Sequence, residues 1–303
     1  MLAEKTPPPI VQSLRVRARR KTGWETMEVS KQYQNDVDAI LKKRHDNGAD
    51  FWATADGRWG VGSPFSTFDC GLLLTELGMG RSEPVMKGIA GQILAAWQED
   101  GQFRPAPKGA IHPCHTANAA RVFCRLGFAK DRRLKRTFEH LFAEQHDDGG
   151  WRCNTVKLGK SPVTDASNPG VTLAALDALR FTPHLNKDKR LDKAVRSLLA
   201  HWKTRRPLGP CEFGIGTLFQ KIEYPFLRYN LFFYVYVLSF YNAAKKHAAF
   251  RQALQALASK LVDGEVVVEN PNRRLAKFSF CKKGETSRPA TRRYQEILKN
   301  TRH

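Results

Sequence analysis

A helical unit recurs along this chain, and this repeat constrains the fold more than any other feature of the sequence. Each unit contains an amphipathic segment, then a polar turn with Asp-Gly and usually an aromatic residue, then a segment of small and apolar residues. In the clearest copy, residues 131–145, the side chains of Leu134, Phe138 and Leu141 fall on one helical face, and Trp151 ends the turn that follows. The amphipathic segments are residues 29–43, 83–98, 131–145, 188–202 and 248–261.

The segments between these units are less charged and richer in small residues. They are residues 66–77, 115–126, 170–181, 229–241 and 292–298. A helix that is apolar on all sides is a buried one, whereas a helix with one charged face lies at the surface. The sequence therefore predicts an all-α protein, an α/α toroid in which an inner ring of apolar helices is enclosed by an outer ring of charged ones.

The predicted toroid is a single domain over residues 28–303, with a basic extension at residues 1–27 and a basic segment at the other end. The longest apolar stretch, residues 231–241, is too short to span a bilayer, and the first residues lack the apolar core of a signal peptide. These features predict a cytoplasmic protein. Six cysteines in such a chain are expected to be thiols or metal ligands rather than disulfides.

The formal charge of +21 is concentrated towards the two ends of the chain. Residues 271–303 alone hold ten lysines or arginines against two glutamates. Such a surface attracts acidic lipid headgroups, pyrophosphates or nucleic acid, and the alternative is a solvated cationic face with no partner. Nucleic acid is the least favoured partner because no helix-turn-helix, zinc-finger or RNA-binding signature is present.

The turn Gln145-x-x-Asp148-Gly149-Gly150-Trp151 resembles the QW motif of squalene and oxidosqualene cyclases and the related turns of protein prenyltransferase β subunits. A weaker copy, residues 98–103, ends in Phe103. The resemblance covers residues 28–300 and implies an α/α toroid whose central cavity holds an isoprenoid or another hydrophobic small molecule. It also implies a structural role for the turn aromatics, which tie an outer helix to the next turn.

The resemblance does not extend to the catalytic motifs of the family. The Asp-x-Asp-Asp acid of class II cyclases and the DDxxD motif of class I enzymes are both absent. Three residues at the predicted mouths of the inner helices remain as catalytic candidates, namely Asp69, His115 and Asp165. Ser66, Thr67, Thr116 and Asn168 lie at the same mouths, where the alternative to ligand binding is simple helix capping.

Zinc is a predicted cofactor of the same region. Protein prenyltransferases of this fold hold zinc through an aspartate, a cysteine two residues on and a distant histidine, but here Asp69 and Cys70 are adjacent. Cys114 and His115 resemble the Cys-His pair that binds zinc in lanthipeptide cyclases. The predicted ligands are Cys70, Cys114, His115, Cys153 and Cys211, and the alternative is that these thiols are packed in the core or at its rim.

The predicted substrate-binding residues are Arg228, Tyr229, Phe233 and Tyr236. Aromatic faces can stabilise carbocations, and the arginine can hold an anionic group. The alternative is that these aromatics form part of a packed core.

Three functions therefore stay open at this point. The chain is a prenyltransferase-like or terpenoid-cyclase-like protein that binds or transforms an isoprenoid, or a zinc-dependent transferase that uses Cys114, His115 and Cys153. The third alternative is a non-catalytic toroid that binds lipid at an acidic membrane surface.

Overall fold

The structure, a computed structural model, describes residues 31–302. The predicted basic extension at residues 1–27 lies outside the described residues. The α-helices in chain order are α1 (Gln34–Lys42), α2 (Thr67–Glu76), α3 (Pro84–Ala95), α4 (Pro113–Phe123), α5 (Arg132–Ala143), α6 (Pro162–Asp165), α7 (Pro169–Leu179), α8 (Lys189–Thr204), α9 (Thr217–Gln220), α10 (Leu231–Leu238), α11 (Asn242–Lys245), α12 (Ala248–Ala258) and α13 (Arg288–Thr301). Two short strands, β1 (Leu261–Val262) and β2 (Glu265–Val266), form an antiparallel hairpin.

Side-chain caps set the start of several helices. Asp131 and Asp188 accept backbone N–H bonds at the starts of α5 and α8, two of the charged helices. Ser66 and Asn168 do the same for α2 and α7, so the capping alternative is confirmed for these two residues. The segment predicted over residues 29–43 begins with a 3₁₀ turn at Lys31–Tyr33 before α1.

Five helices form the inner ring. Helix α2 contacts α4, α4 contacts α7, α7 contacts α10, and α10 contacts α13. The ring closes between its last and first members, because Arg293 on α13 forms an ion pair with Glu76 on α2, with 2.8 Å between Nε and Oε2. Helix α7 is buried along nearly its whole length, as a helix lined by small and apolar residues should be.

The charged helices surround this ring. Helix α3 packs on α2, α5 on α4, α8 on α7, and α12 on α10. In α5 the buried residues are those of one stripe, which includes Leu134, Phe138 and Leu141. The all-α toroid predicted from the repeat is thus confirmed. The charged α5 and α8 lie outside and the apolar α7 and α10 lie inside. The inner α13 is an exception, because it carries five charged side chains and buries only one face, and the outer α3 carries a single charged residue.

A hydrogen bond that recurs between turn and inner helix holds the repeats in register. In three of the turns, the backbone N–H two residues after the Asp-Gly glycine donates to a threonine hydroxyl on the next inner helix. These bonds are Phe103 to Thr116 at 3.2 Å, Trp151 to Thr172 at 3.1 Å and Val266 to Thr291 at 2.9 Å. The threonine is the fourth residue of α4, α7 and α13, and Cys70 occupies the same position in α2.

The turn at residues 145–151 fastens two outer helices together. Trp151 is fully buried, and its indole N–H donates to the carbonyl of Leu141 in α5 at 2.7 Å. The Gln145 side chain donates to the carbonyl of Arg190 in α8 at 2.9 Å. The last copy differs, because α12 ends at Ala258 and its Asp-Gly turn lies in the β1–β2 hairpin.

The first described helix is bound to a distant part of the chain. The Asp36 carboxylate of α1 accepts hydrogen bonds from the backbone N–H groups of Ser279 and Phe280, both at 3.0 Å. Within residues 31–302, no helix combines the length and the apolar composition that crossing a bilayer requires.

Candidate functional site

The space inside the inner ring holds a buried ion network. Asp177 of α7 is fully buried and accepts bonds from Arg121 at 2.8 Å, Arg125 at 2.9 Å and Arg180 at 2.7 Å. Burial alone would raise the pKa of Asp177, but the three guanidinium groups outweigh it and hold that pKa far below its usual range. Asp177 is therefore ionised at neutral pH.

A second buried carboxylate joins this network to the closing helix of the ring. Glu76 accepts hydrogen bonds from Arg125 at 2.9 Å, from Arg293 at 2.8 Å and from the Tyr224 hydroxyl at 2.6 Å. Burial opposes its ionisation, yet Arg293 and Arg125 prevail and lower the pKa of Glu76 to about 2. The network thus links α2, α4, α7 and α13 across the centre of the toroid.

Aromatic rings fill the remaining space around these charges. Phe226 lies against Phe233 and Tyr236, with ring centroids 5.3 and 4.9 Å apart. The guanidinium of Arg121 lies over the Phe233 ring at 4.3 Å, and the Tyr236 hydroxyl donates to Glu296 at 2.8 Å. Phe233 and Tyr236, which were predicted to contact an isoprenoid, each lie against Phe226 and against an arginine, and their role in ligand binding stays a prediction.

An apolar cleft lies between the two rings rather than inside the inner one. It encloses about 450 Å³ between α7 and α8, beside the turn that follows α8. This volume lies in the range of small-molecule pockets. Its apolar lining residues are Pro162, Val163, Pro169, Leu198, Pro207 and Leu208, with Asp148, Ser167, Thr172, Ser197, His201, Thr204 and Arg206 among the polar ones.

His201 is the buried imidazole of this cleft. Its Nε2 contacts the Arg206 carbonyl at 2.9 Å, and its Nδ1 contacts the Tyr229 hydroxyl at 3.0 Å. Burial lowers the pKa of His201, so the ring is neutral near pH 7. Since the carbonyl can only accept, Nε2 carries the proton and Nδ1 accepts from Tyr229.

Two predicted substrate residues therefore differ in their surroundings. Tyr229 does not line the cleft but is hydrogen bonded to His201, which does, and the Tyr229 ring lies edge-on to the Phe213 ring. Arg228 is exposed and forms an ion pair with Glu223 at 2.8 Å.

Of the predicted catalytic residues, Asp69 and His115 lie in the first turns of α2 and α4, whereas Asp165 is the last residue of α6, and the three are not linked. Within the described part of the chain, no hydrogen bond or ion pair joins Asp69, His115 and Asp165. His115 accepts the backbone N–H of His112 at Nδ1, and burial lowers its pKa to about 4. Asp165 accepts the Gly159 N–H at 3.0 Å.

Asp69 is the predicted acid with the most unusual environment. It lies in the first turn of α2 and is 4% exposed. Burial raises its pKa, although hydrogen bonds from Ser63 and Ser66 and the charge of Arg121 act in the opposite direction. A carboxyl group whose pKa is raised by burial is suited to donate a proton, which is the role the sequence predicts.

The substitution Asp69→Asn is expected to raise the midpoint of thermal unfolding by a few degrees at neutral pH. Because the pKa of Asp69 is higher in the folded state than in the unfolded chain, ionisation destabilises the fold once the pH exceeds the usual aspartate range. Asparagine cannot ionise, so the gain should grow as the pH rises and disappear towards the ordinary aspartate pKa. Calorimetry of both proteins across this pH range measures the difference between their unfolding midpoints. Equal midpoints at every pH would contradict the raised pKa of Asp69.

The predicted zinc ligands fall into two groups. Cys70 is fully buried in α2, where burial raises its pKa well above that of a free thiol. Cys114, Cys153 and Cys211 come from three distant parts of the sequence but lie near one another. Burial, followed by the two neighbouring thiols, raises the pKa of Cys114 to about 11.

These thiols are not arranged around one point. In the part of the chain that the structure describes, no three His, Cys, Asp or Glu side chains are placed to hold a metal ion. Cys153 is buried and contacts the Thr155 hydroxyl at 2.9 Å. Zinc binding by Cys114, His115 and Cys153 stays a prediction.

Sequence reasoning missed the ion network and the cleft. One signal for the network was present, because Arg121, Arg125 and Asp177 interrupt segments that otherwise contain small and apolar residues. Charged residues on a buried helix require partners. The cleft had no such signal, since it forms between α7, α8 and the turn after α8.

Comparisons with known proteins found solved structures only. No protein-family model matches the chain, and no curated protein matches it. A type II terpene cyclase from Scytonema is 13% identical with a TM-score of 0.42, over 89% of this chain and 74% of the other. A variant of that cyclase in complex with geranylgeranyl dihydroxybenzoate is 13% identical with a TM-score of 0.43, over 79% of this chain and 67% of the other.

A protein from Actinoplanes is 16% identical to the chain with a TM-score of 0.44, over 88% of this chain and 74% of the other. The geranylgeranyl compound is a ligand of the Scytonema enzyme. The assignment of a closed helical ring is based on the contacts among the helices of this chain and not on these similarities.

Proposed function

We propose that this chain binds an isoprenoid or another hydrophobic small molecule in the cleft between α7 and α8. The observation that carries the proposal is a cleft of about 450 Å³ in which seven of the fourteen lining residues are proline, valine, leucine or alanine. Apolar walls with a few oriented polar groups are typical of small-molecule sites. Removing the apolar surface of such a ligand from water supplies the binding energy, at roughly 25 cal/mol per Å².

Several polar groups of the cleft are paired within the protein and are therefore held in place. Asp148 accepts the Ser167 N–H at 2.8 Å and the Ser167 hydroxyl at 2.5 Å. Thr172 donates to the Asn168 carbonyl at 2.9 Å, and its oxygen receives the Trp151 N–H. Because these groups are already paired, the ligand favoured here is one with few polar atoms.

The centre of the toroid is the site that family resemblance implies, and the ion network argues for the cleft instead. A ligand in the centre would have to displace Phe226, Phe233 or the guanidinium groups of Arg121 and Arg125. Removing a partner from a buried ion pair costs about 3 to 5 kcal/mol, whereas entry into the cleft breaks no such pair. Catalytic roles for Asp69, His115 and Asp165 stay predictions.

A test uses geranylgeraniol as an uncharged isoprenoid and tryptophan fluorescence as the signal, since Trp202 follows His201 in the sequence. Saturable one-to-one binding is expected. The substitution Val163→Asp should weaken it at least about tenfold, or ~1.4 kcal/mol, because the variant places a carboxylate in an apolar wall. Val163 is 44% exposed, so the variant should fold normally.

The matched control is Val262→Asp, an exposed valine in β1 that does not line the cleft. It should bind geranylgeraniol like the wild type. Absence of saturable binding, or equal weakening by the two substitutions, would show that the cleft is not the site.

A further inference from the structure

Cys153 and Cys211 are 58 residues apart in the sequence, and the segments that carry them both lie against Asn168. Cys153 lies two residues after Trp151, whose carbonyl accepts the backbone N–H of Asn168 at 2.9 Å. Cys211 lies two residues after Gly209, where an added Cβ would be 3.3 Å from the Asn168 backbone. The Cys211 thiol lies close enough to the Cys153 thiol and to the Asn168 side chain to interact with both.

The two thiols differ in their access to solvent. Cys153 is 4% exposed, whereas Cys211 is exposed at the tip of a turn between Leu208 and Phe213. The turn itself is held firmly, because Gly209 donates to the Val163 carbonyl at 2.8 Å and Phe213 packs against Gly170. A reagent in solution can therefore reach Cys211 first, and the Cys153 thiol is already beside it.

We propose that Cys153 and Cys211 form a reversible disulfide by exchange with a low-molecular-weight disulfide such as oxidised glutathione. The Cys211 thiolate attacks one glutathione sulfur, the glutathione S–S bond breaks, and the first glutathione leaves as a thiolate that takes up a proton. The Cys153 thiolate then attacks the Cys211 sulfur of the mixed disulfide and releases the second glutathione in the same way. The protein loses two hydrogen atoms, and one oxidised glutathione becomes two reduced ones.

The crosslink would act on the wall of the apolar cleft. Pro207 and Leu208 line the cleft immediately before the turn that carries Cys211, and Val163 lines it where Gly209 is bound. Joining Cys211 to the segment after Trp151 fixes this wall to the N-terminal end of α7. The proposal therefore assigns a modification site next to the cleft, and it does not depend on which ligand the cleft takes.

The full chain is incubated with oxidised glutathione in mildly alkaline buffer, alkylated and digested, and the peptides are measured by mass spectrometry. A Cys153–Cys211 crosslinked peptide is expected, and dithiothreitol should restore both free thiols. Cys211→Ser should abolish that crosslink, whereas Cys281→Ser, which removes a buried cysteine elsewhere, should leave it intact. Because Cys211 is exposed, its serine variant should fold, and circular dichroism checks this.

Three results would overturn the proposal. The first is a stable glutathione adduct on Cys211 with Cys153 still free, and the second is a dominant crosslink that contains Cys114. The third is stoichiometric zinc in the purified protein that is lost in Cys114→Ala, since thiolates held by zinc would not be free to exchange.

Discussion

The substitution Asp177→Asn is expected to lower the free energy of unfolding by about 3 to 5 kcal/mol. Asp177 is fully buried and neutralises three arginines that water does not reach. Asparagine keeps the shape of the side chain but removes the charge that faces the guanidinium groups of Arg121, Arg125 and Arg180. Urea denaturation followed by circular dichroism gives the free energy directly.

Asp188→Asn is the matched control for this experiment. Asp188 also pairs with an arginine, at 2.7 Å, but the side chain of that partner, Arg190, is 52% exposed. Surface pairs of this kind contribute about 0 to 1 kcal/mol, and asparagine can still cap α8. If both substitutions destabilised the protein equally, the central network would contribute no more than a surface ion pair.

The architecture was predictable because it depends on patterns that a single sequence contains. Residues 131–145 alternate charged and apolar positions with helical spacing, while residues 170–181 contain few polar side chains. This contrast is enough to assign one helix to the outside and the other to the inside. The shared position of Thr116, Thr172 and Thr291 could not be predicted as easily. It becomes apparent only when the helices are aligned at their first residues, which the structure defines.

The contents of the ring were not predictable, because ion pairing depends on contacts between distant residues. Asp177 lies 56 residues from Arg121, and Glu76 lies 217 residues from Arg293. Nothing in the local sequence indicates which charges meet. The composition of the aromatic segment at residues 229–241 suits both the lining of a cavity and a packed core, and the structure shows such packing around Phe226.

The cysteines are a different case, because their positions beside predicted helix mouths allowed them to converge but did not establish that they do. Cys114, Cys153 and Cys211 were each expected beside the mouth of an inner helix, and they do lie near one another. Their distances and directions depend on the turns that carry them, such as the one closed between Leu208 and Phe213. A sequence pattern does not contain that information, so it cannot separate a metal site from a thiol pair.

Trp151→Ala is expected to destabilise the protein by about 3 to 5 kcal/mol, because removing a buried aromatic side chain leaves a cavity that its neighbours fill only in part. The Trp151 side chain is fully buried, and its indole N–H also holds the Leu141 carbonyl at 2.7 Å, at the end of α5. The free energy of unfolding from urea denaturation is again the measurement.

Trp151→Phe separates the two contributions of this side chain. Phenylalanine keeps most of the apolar contact but cannot donate a hydrogen bond. The loss in unfolding free energy should therefore be roughly 1 to 3 kcal/mol, the cost of one buried acceptor left unpaired. A structural role also requires that the phenylalanine variant still bind geranylgeraniol in the cleft with the affinity of the wild type, because Trp151 does not line it. Trp151→Phe could instead abolish binding and leave the unfolding free energy unchanged. The aromatic residue of this turn would then belong to a ligand site, and its role would not be limited to holding α5 against the inner ring.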